Sequence, residues 1–180
     1  NLERELEPEM LGIADVDKAM ALAGVMGGLL TEVTEKTRTI LLESAHFDRV
    51  SIRQTSRKLG LRSESSLRFE KGTDVEGARL AADRAVQLVA EMGAGNPVAE
   101  VIDCYLNPRQ PLSLSLRVSR TNAMLGTNLR LEEIKEILSR LQLSPVAEDE
   151  ERITVQIPSF RGDLEREIDL IEEVARLYGY

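Results

Sequence analysis

Five residues, NPRQP from Asn107 to Pro111, constrain this 180-residue chain more than any other stretch. The two prolines fix φ and remove N–H donors, and no aliphatic or aromatic side chain lies between them, which is the composition of a linker. The chain is therefore expected to fold as two modules, 1–107 and 111–180. Aromatic residues are 3% of the chain and Trp is absent, so aliphatic side chains must build the cores. No apolar run reaches membrane-spanning length, and there is no repeat or low-complexity tract. The chain has no initiator Met and opens abruptly on NLERELEPEM. It is expected to be a piece of a longer polypeptide.

The first module reads as mixed structure. LGIADVDKAMALAGVMGG predicts two short strands around a turn at Asp17–Lys18, ending in Gly24, Gly27 and Gly28. TRTILLESA, residues 37–45, predicts a buried strand that places Glu43 at its end. Asp48 is the expected N-cap of a helix, RVSIRQTSRKL, stopped by Gly60. TDVE, residues 73–76, fits a capping box. It precedes a helix with Ala78, Ala82, Ala85, Val89 and Met92 on one face and Gly93 at its end. VAEVIDCY from Val98 predicts another strand.

The second module alternates more cleanly. LSLSLRV is a half-buried strand, and SRTNAML is a short helix ended by Gly126. LEEIKEILSRL is an amphipathic helix with Leu131, Ile134, Ile137, Leu138 and Leu141 on one side. ITVQIP is a strand expected to pair near Val146. The last helix is expected to begin near Asp163, with Leu164, Ile168, Leu170, Ile171, Val174, Ala175, Leu177 and Tyr178 on its apolar half.

Charge narrows the chemistry. With 31 acids against 23 bases the net charge is −8, which excludes a uniformly basic nucleic-acid coat. Residues 49–71 reverse this locally, with seven bases and two acids. Arg49, Arg53 and Arg57 share one helix face there, suited to phosphate or to an acidic protein surface. In the last helix Asp169, Glu172 and Glu173 are i, i+3 and i+4 neighbours, with Asp163 upstream. This pattern fits a solvated polar face with Asp163 as N-cap. It also fits a hard-cation site, since Mg²⁺ takes one or two carboxylates directly and keeps several waters. The glycine cluster is neither a P-loop nor a dinucleotide fingerprint. It is either a tight turn or a place where a ligand approaches the backbone. Glu43 is either exposed at a sheet end or held in a pocket with a partner. One Cys and one His exclude a zinc set, and no nucleophilic triad is visible. His46 reads as a loop or packing residue. Cys104 alone excludes an internal disulfide framework and suits a reducing compartment.

Together AGVMGG, LLESAHFD, RQTSRKLGLRSESSLRFEKGTD and PSFRGDLEREIDLIEEVARLYGY resemble the β subunit of bacterial phenylalanyl-tRNA synthetase along nearly the whole chain. The resemblance implies an α+β fold. Residues 1–107 would be the later part of an editing module, a partial sheet with packed helices. Residues 111–180 would be a small winged-helix-like module. It implies a cytoplasmic α2β2 parent enzyme that joins phenylalanine to its tRNA with ATP and Mg²⁺, in which this piece binds no ATP. By resemblance, Asp163, Asp169, Glu172 and Glu173 stand at Mg²⁺ positions in a site shared with the α subunit. Gly27, Gly28 and Glu43 stand in a pocket for the tyrosine or phenylalanine moiety of a charged tRNA. Ser65 stands where such subunits often carry Ala. The family's pocket also draws on residues from earlier in the subunit, so the pocket here is expected to be incomplete. No residue here is expected to belong to the synthetic site.

The alternative is a free-standing nucleic-acid-binding or assembly module of winged-helix type. Against it, the tail from Arg161 carries six acids and three bases, which repels a phosphate backbone.

Overall fold

The computed structural model describes residues 3–179. The chain forms two compact units, Asn1–Val101 and Ile102–Tyr180, so the division falls a few residues before NPRQP. Both units mix helices with a small antiparallel sheet, and the fold class is α+β as expected.

In the first unit β1 (Gly12–Ala14), β2 (Ala19–Leu22) and β3 (Met26–Gly27) form a three-stranded sheet in sequence order. The predicted turn is present. Its lock is Asp15, whose Oδ1 accepts from the backbone N–H groups of Asp17 (2.9 Å) and Lys18 (2.8 Å). Helix α1 (Arg49–Leu59) starts where the sequence places it, because the Asp48 carboxylate accepts from the Ser51 N–H at 2.8 Å. It ends on Gly60 in the left-handed region (φ 63°). Helix α2 (Glu64–Phe69) was not expected. A reciprocal capping box starts it: Ser63 N–H donates to Ser66 Oγ (2.9 Å) and Ser66 N–H to Ser63 Oγ (3.0 Å). Helix α3 (Gly77–Glu91) follows. Leu22, Val25 and Ile52 form a small core, with Met10, Phe47, Leu59, Leu61 and Phe69 against it.

Three expectations fail between residues 37 and 105. TDVE is not a capping box: the helix begins without a side-chain cap, Thr73 Oγ1 pairs with His46 Nδ1 (3.1 Å), and Asp74 accepts from the Glu76 N–H. Residues 37–45 and 98–105 are not strands. Their apolar side chains are exposed, Leu41 at 93% and, in the second segment, Ile102 at 86%. A strand needs a ladder partner for its N–H and C=O groups, and among the described residues neither segment has one.

In the second unit β4 (Leu112–Arg117), β5 (Pro145–Glu148) and β6 (Arg152–Ile157) form a sheet of order β4-β6-β5. Its helices are α4 (Val118–Leu125), α5 (Leu131–Arg140) and α6 (Glu167–Tyr178). The expected pairing of ITVQIP with the Val146 region is present, with a bulge. Its elements run β-α-α-β-β-α along the chain, a small mixed module. Asn122 pins the α4–α5 turn: Oδ1 accepts from the Leu129 N–H and Thr127 Oγ1, and Nδ2 donates to Leu129 O, each at 2.8 Å. Leu116, Ile134, Leu138, Leu143, Ile153, Val155, Leu170, Ile171 and Val174 make a continuous aliphatic core. The last helix begins at Glu167, four residues beyond Asp163, so Asp163 is not its N-cap. Ile168 and Tyr178 lie at the exposed edge of the apolar face.

Candidate functional site

The glycine turn between β2 and β3 is held from one side by α2. Ser65 Oγ donates to Gly24 O (3.0 Å) and Ser63 Oγ to Val25 O (2.6 Å). Gly24 is required twice over. Its φ is +64°, and a Cβ there would stand 2.9 Å from Ile52 Cδ1 and from Phe47 Cδ2. Phe47 and Phe69 pack with ring centroids 4.9 Å apart, tilted by 58°. An open cleft of about 490 Å³ lies over this cluster. Gly24, Glu43, Ser65, Phe69, Asp74 and Ala78 line it, among others. Ser44 Oγ donates to Ala78 O at 2.6 Å, tying the Glu43 segment to α3.

Glu43 and Ser65 therefore share one cavity. Glu43 reaches it from an irregular segment, not a strand end. Gly27 and Gly28 are not among its lining residues. Gly28 fits against Met20 O, where a Cβ would clash at 2.3 Å, and a Cβ on Gly27 would meet nothing within 4 Å. The glycine at the cleft is Gly24, the first of the AGVMGG run. Carboxylates, an aromatic face, a hydroxyl and small residues in one cleft suit a ring-bearing ligand with a polar tip. The Phe69 and Asp74 contributions carried no sequence signal, because both depend on how α2 and α3 approach the turn.

Arg49, Arg53 and Arg57 are exposed on α1, beside its buried stripe of Ile52, Thr55 and Ser56. At i, i+4 and i+8 they share one side of the helix.

At the acidic end the carboxylates are engaged within the chain. Arg161 holds Asp163 with a fork, Nε to Oδ1 at 2.9 Å and Nη2 to Oδ2 at 2.6 Å. It also reaches Glu173, Nη2 to Oε1 at 3.1 Å, and Arg176 Nη2 holds Glu173 Oε2 at 2.5 Å. Glu173 is thus 8% exposed, although periodicity puts it on the polar half. Burial pushes its pKa up, but Arg176 and Arg161 outweigh that and hold it below the usual range. The bond from Arg161 likewise lowers Asp163. Asp169 caps α6, its Oδ2 accepting from Glu165 N–H (2.9 Å) and Arg166 N–H (2.7 Å). Glu172 is exposed. Among the described residues no group of three or more His, Cys, Asp or Glu side chains is arranged to hold a metal ion. In this arrangement the four carboxylates do not fit a divalent cation.

Residues 1–94 match the B3/4 domain family and residues 114–180 the tRNA synthetase B5 domain family. The phenylalanine–tRNA ligase β subunit of Moorella thermoacetica is 57% identical over 99% of this chain, and that of Geobacter sulfurreducens 46%. The chain spans about a fifth of those relatives, 22% of each. An N-terminal fragment of the phenylalanyl-tRNA synthetase β-subunit from Pyrococcus horikoshii shares 25% identity and a TM-score of 0.37, over 42% of this chain and 21% of that one. That likeness is too slight to bear on the fold. Among the described residues no helix is long and apolar enough to cross a membrane.

Proposed function

Because the chain belongs to the family of bacterial phenylalanine–tRNA ligase β subunits, through its B3/4 and B5 domains, we propose that its first unit supplies one wall of a hydrolytic editing pocket. The substrate is a tRNA mischarged with tyrosine. Tyrosine differs from phenylalanine by one hydroxyl, and an apolar synthetic pocket rejects an added hydroxyl poorly. A second pocket that hydrogen-bonds the phenol selects the error. The reading is carried by one observation: Glu43, Ser65 and Gly24 line the same cleft. In it Glu43 accepts from the phenol, Phe69 offers a ring face, and water attacks the ester. Arg49, Arg53 and Arg57 serve as phosphate contacts for the tRNA.

The second unit serves assembly with a catalytic α subunit in an α2β2 parent. The parent uses ATP and Mg²⁺ in the cytoplasm, with synthesis carried out on the α subunit. The acidic helix contributes to a Mg²⁺ site only when that partner rearranges it. A free-standing winged-helix nucleic-acid binder is disfavoured by α5, whose exposed positions include Glu132 and Glu136.

The test is hydrolysis of tyrosyl-tRNA by the complete subunit assembled with its partner. Glu43→Ala should slow hydrolysis by about a hundredfold, the cost of one transition-state or orienting contact of roughly 3 kcal/mol. Unchanged hydrolysis sinks the reading.

A further inference from the structure

The geometry points to Asp74 as the residue that holds the α-amine of the amino acid carried by the tRNA. This rests on the editing reading of the cleft and adds a second anchor to it. In that reading Glu43 takes the phenol at one end of the ligand, and Asp74 takes the amine at the other.

The lining decides which charge the cleft accepts. It carries two carboxylates, Glu43 and Asp74, and no lysine, arginine or histidine. Such a lining favours a ligand that brings N–H donors or positive charge. An aminoacyl ester fits, because its carboxyl end is an uncharged ester and its amine donates whether protonated or neutral. Hydrolysis turns that ester into a carboxylate, for which the lining holds no cation. The same charge pattern therefore binds the substrate and repels the released amino acid.

The chain holds Asp74 ready for this task. Ser44 Oγ donates to Ala78 O at 2.6 Å, and His46 Nδ1 pairs with Thr73 Oγ1 at 3.1 Å. These two bonds tie the segment that follows Glu43 to the segment around Asp74. Asp74 Oδ1 accepts from the Glu76 N–H at 3.1 Å, which fixes the carboxylate at the start of α3. Its Oδ2 has no hydrogen bond among the described residues. Gly77, also in the lining, leaves room for that oxygen: a Cβ there would stand 3.1 Å from Asp74 Oδ2 and 3.3 Å from Asp74 Cβ. One oxygen is thus spent on the fold and the other is available to a ligand.

The experiment uses the complete subunit assembled with its partner, and two substrates, tyrosyl-tRNA and N-acetyl-tyrosyl-tRNA. Acetylation turns the amine into a neutral amide and leaves the phenol and the ester. Asp74→Asn keeps an acceptor for the Glu76 N–H and removes the charge. It should lower kcat/KM for tyrosyl-tRNA by about tenfold to a hundredfold, the range for losing one hydrogen bond to a charged group. Wild type should be slower by a similar factor on the acetylated substrate, and there Asp74→Asn should change little. Gly77→Ala shifts the carboxylate without removing its charge, so it should show the same dependence on substrate, and it serves if the Asn variant does not fold. Equal losses on both substrates mark a structural role and overturn the assignment. So does a wild type that hydrolyses both substrates alike, or no loss on either. In those cases a slowed Glu43→Ala leaves the editing reading standing, whereas an unchanged Glu43→Ala overturns both.

Discussion

At the residue scale two glycines three positions apart differ sharply. Gly24 combines a left-handed backbone with side-chain atoms at 2.9 Å, whereas Gly27 faces open space. Gly24→Ala should destabilise the first unit by about 1–3 kcal/mol, from backbone strain plus overpacking. Gly27→Ala should cost under about 1 kcal/mol. Urea unfolding of the two variants decides this, and equal losses would contradict the packing described. Glu167 is a second sharp case. Its Oε1 accepts from Arg117 N–H (3.0 Å) and Nε (2.9 Å), and Arg117 Nη2 and Arg120 Nη1 hold Oε2 at 2.6 and 3.2 Å. The Arg117 side chain, followed by its backbone N–H, brings the Glu167 pKa down from 4.5 to about 2 despite burial. A depressed carboxyl stabilises the fold above its unfolded pKa, and that stabilisation fades as pH falls through the folded value. Glu167→Gln should therefore cost about 2 kcal/mol at neutral pH. The gap to wild type should close between about pH 4.5 and about pH 2. Thermal melts across that window check it; a gap independent of pH contradicts it. No sequence signal pointed to Glu167, because its partner lies 50 residues away on β4.

At the element scale the legible features were those decided within a few residues. The Asp48 cap, the Gly60 and Gly126 stops and the strands β4 and β6 are local, and all appear. Strands at 37–45 and 98–105 were misread because an apolar pattern describes one strand, while a sheet needs two. TDVE was misread because Thr73 finds His46 across 27 residues instead of its own helix. The Glu173 burial was hidden because Arg161, twelve residues back, supplies the missing charge. Helix α1 carries a prediction of its own. If its three arginines contact phosphates, replacing Arg49, Arg53 and Arg57 with Gln in the complete subunit should weaken tRNA binding. The slope of log K against log salt should fall by about 2, near 0.7 per single-strand contact. An unchanged slope assigns the face to something other than RNA.

For the whole molecule, the chain is a segment whose two units each close a core, the second far more completely than the first. The first unit brings Glu43, Ser65 and Gly24 to one cleft but leaves Ile40, Leu41 and Leu42 exposed beside it in sequence. Family resemblance named Glu43 and Ser65, which line one cleft, and it took the packing of Phe47, Ile52 and Phe69 to single out Gly24 over Gly27. The most direct measurement is the rate of tyrosyl-tRNA hydrolysis by the complete, partner-assembled subunit, compared among wild type, Glu43→Ala and Gly27→Ala. A large loss in Glu43→Ala with Gly27→Ala close to wild type is the predicted result. Full activity in Glu43→Ala, or an equal loss in Gly27→Ala, would contradict it.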